Sequence, residues 1–169
     1  MSVFKEGELL FSFGSDWHAE QFDHPGASWP KGISPVDFIA EGQTELVLVE
    51  VKDPSASGAR PQNRQDFVKK MKTEELTHEE LVPKARSSYS FLHLMARDHK
   101  PMRYVVVIGT ENLSIQPALL MNLTARLQAR LANETGTVWK RPYISKCIVV
   151  SVADLGKALS GCSASRIAP

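Results

Sequence analysis

Cysteine is scarce. Cys147 and Cys162 are the only two in 169 residues, which excludes a disulfide-scaffolded fold and a four-cysteine zinc site. Long apolar runs are missing as well. Nothing approaches the roughly 18 apolar residues of a membrane-spanning helix, so no membrane partner is expected. The opening stretch, Met1-Ser2-Val3-Phe4-Lys5-Glu6-Gly7-Glu8, has no basic region leading into an apolar segment and does not read as a secretion signal. Excess charge of one sign is absent: 20 Lys and Arg against 19 Asp and Glu leave a formal net charge of +1. Proteins that coat polyanions are usually far more basic, so any nucleic-acid contact has to come from a local patch. There is no Gly-rich phosphate loop, because Gly156-Lys157 lacks the P-loop spacing. Ser87 and Ser88 have no His and Asp arranged around them as a hydrolase triad requires. Internal repeats and low-complexity blocks are absent too.

What is present is ordinary globular composition, with 43% hydrophobic and 23% charged residues. The length suits one domain. Residues 1–160 are expected to form it, with residues 161–169 as a flexible tail. A soluble protein of a reducing, cytoplasmic compartment is the expectation.

Periodicity supplies the elements. Residues 8–13 read as a strand. Residues 14–32 carry Trp17, Phe22 and Trp29 among turn formers and read as an ordered loop. The runs 36–40 and 45–52 are β-rich. Gly42-Gln43 between them suits a two-residue type II′ hairpin. Residues 53–61 are rich in breakers. A helix is predicted over 65–72. Thr77-His78-Glu79-Glu80 matches a capping box opening a second helix, and Pro83 inside it predicts a kink or a late start. Residues 103–108 form a buried strand. Ser114 is the expected cap of a helix to residue 132, with Leu119, Leu123, Leu127 and Leu131 at spacing four. Residues 146–152 form another buried strand, and residues 153–159 a short helix. The fold class is α/β, a mixed central β-sheet flanked by helices.

The run LVLVEVK ends with a carboxylate and an amine inside a buried strand. Glu50 and Lys52 are two apart and share a face. Burying either charge without compensation costs several kcal/mol, and a divalent cation would compensate well. With a two-residue loop, Asp37 faces Leu48 across the hairpin, so it joins Glu50 and Lys52 on one face. A slip of one residue would send it to the other face. Acidic-x-Lys alone is a weak signal; Asp98-His99-Lys100 is another example. The ordinary reading makes Glu50–Lys52 an edge ion pair and Asp37 a turn residue.

Pro35-Val36-Asp37, twelve residues, then Glu50-Val51-Lys52 resembles the PD-(D/E)xK, or restriction-endonuclease-like, superfamily. The likeness covers the hairpin closely and residues 33–152 loosely. Trp17, Phe22-Asp23 and the hairpin are also similar to small bacterial members of it. One departure is Val36, which separates Pro35 from Asp37. The resemblance implies a Mg²⁺- or Mn²⁺-dependent nuclease acting on nucleic acid, DNA ahead of RNA. It implies Asp37, Glu50 and the carbonyl of Val51 as metal ligands, with Lys52 orienting the attacking water. It also points to Asp23, ahead of Glu20, as a third carboxylate, and to Lys84 as a basic residue facing the site, ahead of Arg86 and Tyr89. The second reading is a catalytically silent relative that binds nucleic acid or protein. Near-neutral charge points to a homodimer or larger complex for substrate grip. His18 and His24 are weak ligand candidates. Lys69, Lys70 and Lys72 read as a solvated face beside Glu74, Glu75, Glu79 and Glu80, while Arg126, Arg130, Lys140 and Arg141 are a candidate basic surface. Cys147 reads as core.

Overall fold

The computed structural model describes residues 1–167. Eight strands lie among them: β1 (Ser2–Glu6), β2 (Leu9–Phe13), β3 (His18–Gln21), β4 (Phe38–Glu41), β5 (Leu46–Lys52), β6 (Met102–Ile108), β7 (Lys146–Ser151) and β8 (Ser163–Arg166). The α-helices are α1 (Pro61–Lys72), α2 (Val82–Leu94), α3 (Pro117–Ala132) and the single turn α4 (Leu155–Ala158). A π-helical segment, Leu76–Leu81, runs directly into α2.

The main sheet has the order β3-β4-β5-β6-β7. The β3-β4-β5 pairs are antiparallel and the β5-β6-β7 pairs parallel. β5 and β6 are apolar on both faces because each lies between two neighbours and under cover on both sides. Both parallel connections step the same way across the sheet. Right-handed crossovers stepping the same way fall on the same face. Accordingly, among the helices that the sequence pattern predicts to flank the sheet, the crossover helices α1, α2 and α3 all lie on one face. On that face Ile39, Leu46, Leu48, Val106 and Ile108 pack with Leu81, Ala85 and Leu92 of the α2 region and with Leu123, Leu127 and Leu131 of α3.

The opposite face carries Phe38, Ala40, Val47, Val49, Val105 and Val107, and it is buried too. Its cover is a second sheet, β1-β2-β8, together with α4. Phe11, Phe13 and Phe4 surround Phe38 with ring centroids 5.0, 5.9 and 5.8 Å away. This small sheet corrects the expected tail. Residues 163–166 form a strand paired with β2; residues 168 and 169 lie outside the described residues. β1 and β3 also arise where the sequence pattern predicts no strand. Both are edge strands, whose mixed polar character hides the period of two.

Three local expectations are corrected. The β4–β5 loop holds four residues, not two: Glu41 pairs with Leu46, and Gly42 N–H donates to the Glu45 carbonyl. Gly42 is needed for space, since a Cβ there would lie 2.8 Å from the Trp17 ring. Thr77 and Glu80 form no capping box. The Thr77 hydroxyl is buried without a hydrogen-bond partner among the described residues, and the helix preceding Pro83 is π-wound. Pro83 lies in the first α-helical turn after that segment, so the change of winding falls where the chain lacks an N–H to donate. Gln116, not Ser114, is the N-cap of α3.

The C-terminal strand reaches the end of β5. Arg166 donates to both oxygens of Asp53, at 2.9 and 2.8 Å, and to Glu111 at 3.0 Å. Gly109, just past β6, makes room for this pair. A Cβ there would lie 2.2 Å from Asp53 Oδ1 and 3.2 Å from Arg166 Nη2. Gly109→Ala is expected to part the pair and lower stability by about 1–3 kcal/mol, read as a lower urea midpoint at unchanged m-value. Gly58→Ala, whose Cβ meets nothing within 4 Å, is expected to leave the midpoint nearly unchanged.

Candidate functional site

β4 and β5 carry the polar cluster onto the helical face of the sheet. Ile39 pairs with Leu48 and Phe38 with Val49. Extending that ladder by one residue sets Asp37 level with Glu50. The register therefore differs by two residues from the expected one, in which Asp37 faces Leu48. A slip of two preserves the face, so Asp37, Glu50 and Lys52 still point the same way. Asp37 lies just before β4, with its Oδ2 accepting from the Val51 N–H at 2.6 Å. A strand residue's N–H and C=O point to the same side. The Lys52 carbonyl, one residue on, turns the other way and accepts from Gly109 N–H at 2.9 Å. The Val51 carbonyl thus lies on the Asp37 side of β5.

Glu50 is fully buried and Asp37 is 8% exposed. Two lysines approach them. Lys84 Nζ, from α2, lies 2.9 Å from Glu50 Oε1 and 3.9 Å from Asp37 Oδ1. Lys52 Nζ lies 3.3 Å from the same Glu50 oxygen. Lys52 also pairs with Glu80 at 2.8 Å, and Glu80 in turn with Lys70 at 3.0 Å. Four of the expected residues, Asp37, Glu50, Lys52 and Lys84, are therefore brought together.

Burial shifts these groups strongly. Loss of hydration, followed by repulsion from Asp37, pushes the Glu50 carboxyl up to about 8; Lys84 and Lys52 pull it back only in part. Burial also raises Asp37, against Lys84, the Val51 N–H and Lys52. Burial alone would lower Lys84, but Glu50 and Asp37 outweigh it and raise this ammonium. Glu80 follows the opposite balance: burial would raise it, and the hydrogen bonds from Lys52 and Lys70 bring it below the usual range.

A hard divalent cation takes oxygen donors. Both oxygens of Glu50 are buried; Oε1 faces the two ammoniums, Oε2 has no hydrogen-bond partner among the described residues, and Asp37 and the Val51 carbonyl lie alongside. This donor set fits such an ion, provided that the Lys84 ammonium withdraws from Glu50. Among the described residues, no three His, Cys, Asp or Glu side chains form a group able to hold a metal. Asp23 is tied to the site through Asp37. Its N–H bonds the Asp37 carbonyl at 3.2 Å, and its charge raises the Asp37 carboxyl. Its side chain borders a neighbouring cavity with Glu6, Gln21 and His24.

The other expected residues lie elsewhere. Glu20 pairs with Arg97, and Arg86 with Glu134. Tyr89 accepts from Arg141 at 3.0 Å. His24 Nδ1 accepts from Gly26 N–H, and His18 is exposed on β3. Arg126 and Arg130 pair with Glu74, and Arg126 also caps the carbonyls ending α1, so neither is free for a basic surface. Cys147 is partly buried against the helical core, as expected. Two residues escaped the sequence reading. Glu80 lies four positions before Lys84, a spacing that places both on one helix face, and that signal was available. Glu6 is raised by burial and by Asp37. Nothing local marked it, because it arrives on β1.

Metal-free stability should carry the mark of Glu50. Its folded-state pKa lies above its unfolded value, so the native state holds a proton that the unfolded chain releases. Stability is full below the ordinary carboxylate range and falls as pH rises toward about 8. Urea unfolding in EDTA is expected to show declining stability from pH 5.5 to 8 and a much flatter profile for Glu50→Gln.

Comparison of the chain with protein-family models, with curated proteins and with solved structures returned no match, and the functional reading rests on the chemistry of the site.

Proposed function

We propose that this chain hydrolyses phosphodiester bonds in nucleic acid, DNA ahead of RNA, through a PD-(D/E)xK-type site on a restriction-endonuclease-like sheet. One observation carries the reading. A fully buried glutamate sits beside a second buried carboxylate and two lysines, and while both ammoniums engage its Oε1, its Oε2 has no partner among the described residues. A closed structural network would satisfy both oxygens of a buried carboxylate; here Oε2 is left open for a cation.

Asp37, Glu50 and the Val51 carbonyl are the donors that would hold Mg²⁺ or Mn²⁺. Bound there, the cation would lower the pKa of a coordinated water and offset charge on the phosphoryl oxygens. The protein's own groups do the rest. Asp37 is fixed by the Val51 N–H, which ties its carboxylate to the end of β5. Lys52 is steered by Glu80 and sits where it can orient the attacking water or meet a phosphate oxygen. Lys84 is held protonated by two carboxylates, so its part is to supply positive charge. Its ammonium must swing off Glu50 when a cation enters, which a flexible side chain does quickly.

The silent-relative reading draws on that same ammonium, which lies against the carboxylates in place of a third acidic ligand. Incubation of supercoiled plasmid and of a single-stranded oligonucleotide with Mg²⁺ or Mn²⁺ separates the two. Cleavage is expected, abolished by EDTA and lowered about 100-fold or more in Lys52→Ala. Binding without cleavage of either substrate by the wild-type chain would select the silent relative.

A further inference from the structure

Two cavities lie side by side between α1 and the start of α3. One, of about 390 Å³, is lined by Pro61, Arg64, Gln65, Val68, Asn112 and Ser114 among others. The second, of about 540 Å³, is lined by Lys72, Ser114, Gln116, Leu119 and Asn122 among others. Ser114 borders both, so they form one groove with Arg64 toward one end and Lys72 toward the other. Eight helical residues separate these cations, a span of about 12 Å.

No acidic residue lines either cavity. No carboxylate in the lining therefore competes with an anionic ligand. Among the described residues, neither Arg64 nor Lys72 has a carboxylate partner. Arg64 has one weak contact, to the Ala56 carbonyl at 3.5 Å, and its Nε is buried without a hydrogen-bond partner. Between the cations the lining alternates amides and a hydroxyl with the apolar surfaces of Val68, Leu113, Ile115 and Leu119. α3 opens beside Lys72 without a side-chain cap and with no acidic residue in its first turn, so its dipole acts in the same sense.

The groove reaches the reaction site by a short route. Asn112 N–H donates to Ser55 Oγ, and the Asn112 side chain donates to the Ser55 carbonyl, both at 3.0 Å. Ser55 is three residues past Lys52, at most about 11 Å along the chain. Both belong to the C-terminal ends of the parallel strands, where open α/β sheets bind ligands.

We propose that this groove holds one strand of nucleic acid running away from the site, with Arg64 and Lys72 on phosphates and the amides and apolar floor against the bases. This deepens the proposed function by naming its substrate form, and it rests on that reading only for the class of polymer. Two cations at separated points with amides and apolar side chains between them match a single strand, whose bases are open to stacking and hydrogen bonding. A duplex calls for a broad basic surface, and the groove offers two cations, Arg64 and Lys72.

Fluorescence anisotropy of a labelled 15-nucleotide oligo-dT, and of a duplex of the same length, tests it with the full chain in EDTA across a KCl series. The single strand is expected to bind more tightly than the duplex. Arg64→Gln with Lys72→Gln should weaken strand binding at least tenfold and lower the salt slope by about 1.4, two contacts at about 0.7 each. Ser114→Glu, at an exposed position on the shared wall, should weaken it similarly without touching either cation. Lys140→Gln with Lys146→Gln removes the same charge from exposed positions outside the groove and should change little. Equal losses in the two double variants, unchanged binding in the groove variants, tighter duplex binding, or no strand binding by the wild type would each overturn the proposal. Binding is read without a metal, so a wild-type chain that binds in the groove but never cleaves sinks the nuclease reading alone.

Discussion

A carboxylate is buried at the end of the central strand. Glu50 has no exposure, and its ionised form is stable only with positive charge close by. That single requirement organises the neighbourhood. It brings Lys84 over from α2 and keeps Lys52 folded back along β5, both against Oε1, and leaves Oε2 without a partner among the described residues. A core position that merely closed the fold would be more stable with an apolar side chain of similar size. The cost of placing a glutamate there is intelligible if a cation occupies the site when the protein works.

The architecture around Glu50 holds its partners in place. β5 ends at Lys52, and the next residues are tied down at once. Asp53 is held by Arg166, Ser55 by the β6–α3 loop, and Ser57 by Glu8. The strand end is therefore clamped from the second sheet on one side and from the following crossover on the other. With the crossover helices on one face, the β1-β2-β8 sheet and α4 cover the other, and the last strand of the described chain helps to fix the end of β5 through Arg166. Glu80 links Lys52 to Lys70 and joins the site to α1, whose far side borders the groove.

Much of this was legible in the chain itself. The central strands announce themselves as apolar runs, and α3 by leucines at spacing four. The shared face of Asp37, Glu50 and Lys52 follows from the period of two, and it survived a wrong hairpin register because the error was an even number of residues. What stayed hidden has physical causes. β1, β3 and β8 are short edge strands, and half of their side chains face solvent. The polar sequence 161–169 resembles a fraying tail until Arg166 meets Asp53 more than a hundred residues away. Glu6 reaches the site only through that sheet. The placement of α1, α2 and α3 on one face follows from the handedness of crossovers once the strand order is known, and the strand order depends on contacts distant in sequence.

The central claim is that Asp37 and Glu50 exchange the Lys84 ammonium for a divalent cation. Titration calorimetry of the full chain with Mn²⁺ at pH 8 tests it most directly. The account predicts binding that is lost in both Asp37→Asn and Glu50→Gln, with the folded state of each variant checked by its unfolding transition. Mn²⁺ bound with equal strength by the wild type and by Glu50→Gln, or not bound by the wild type at all, would contradict it.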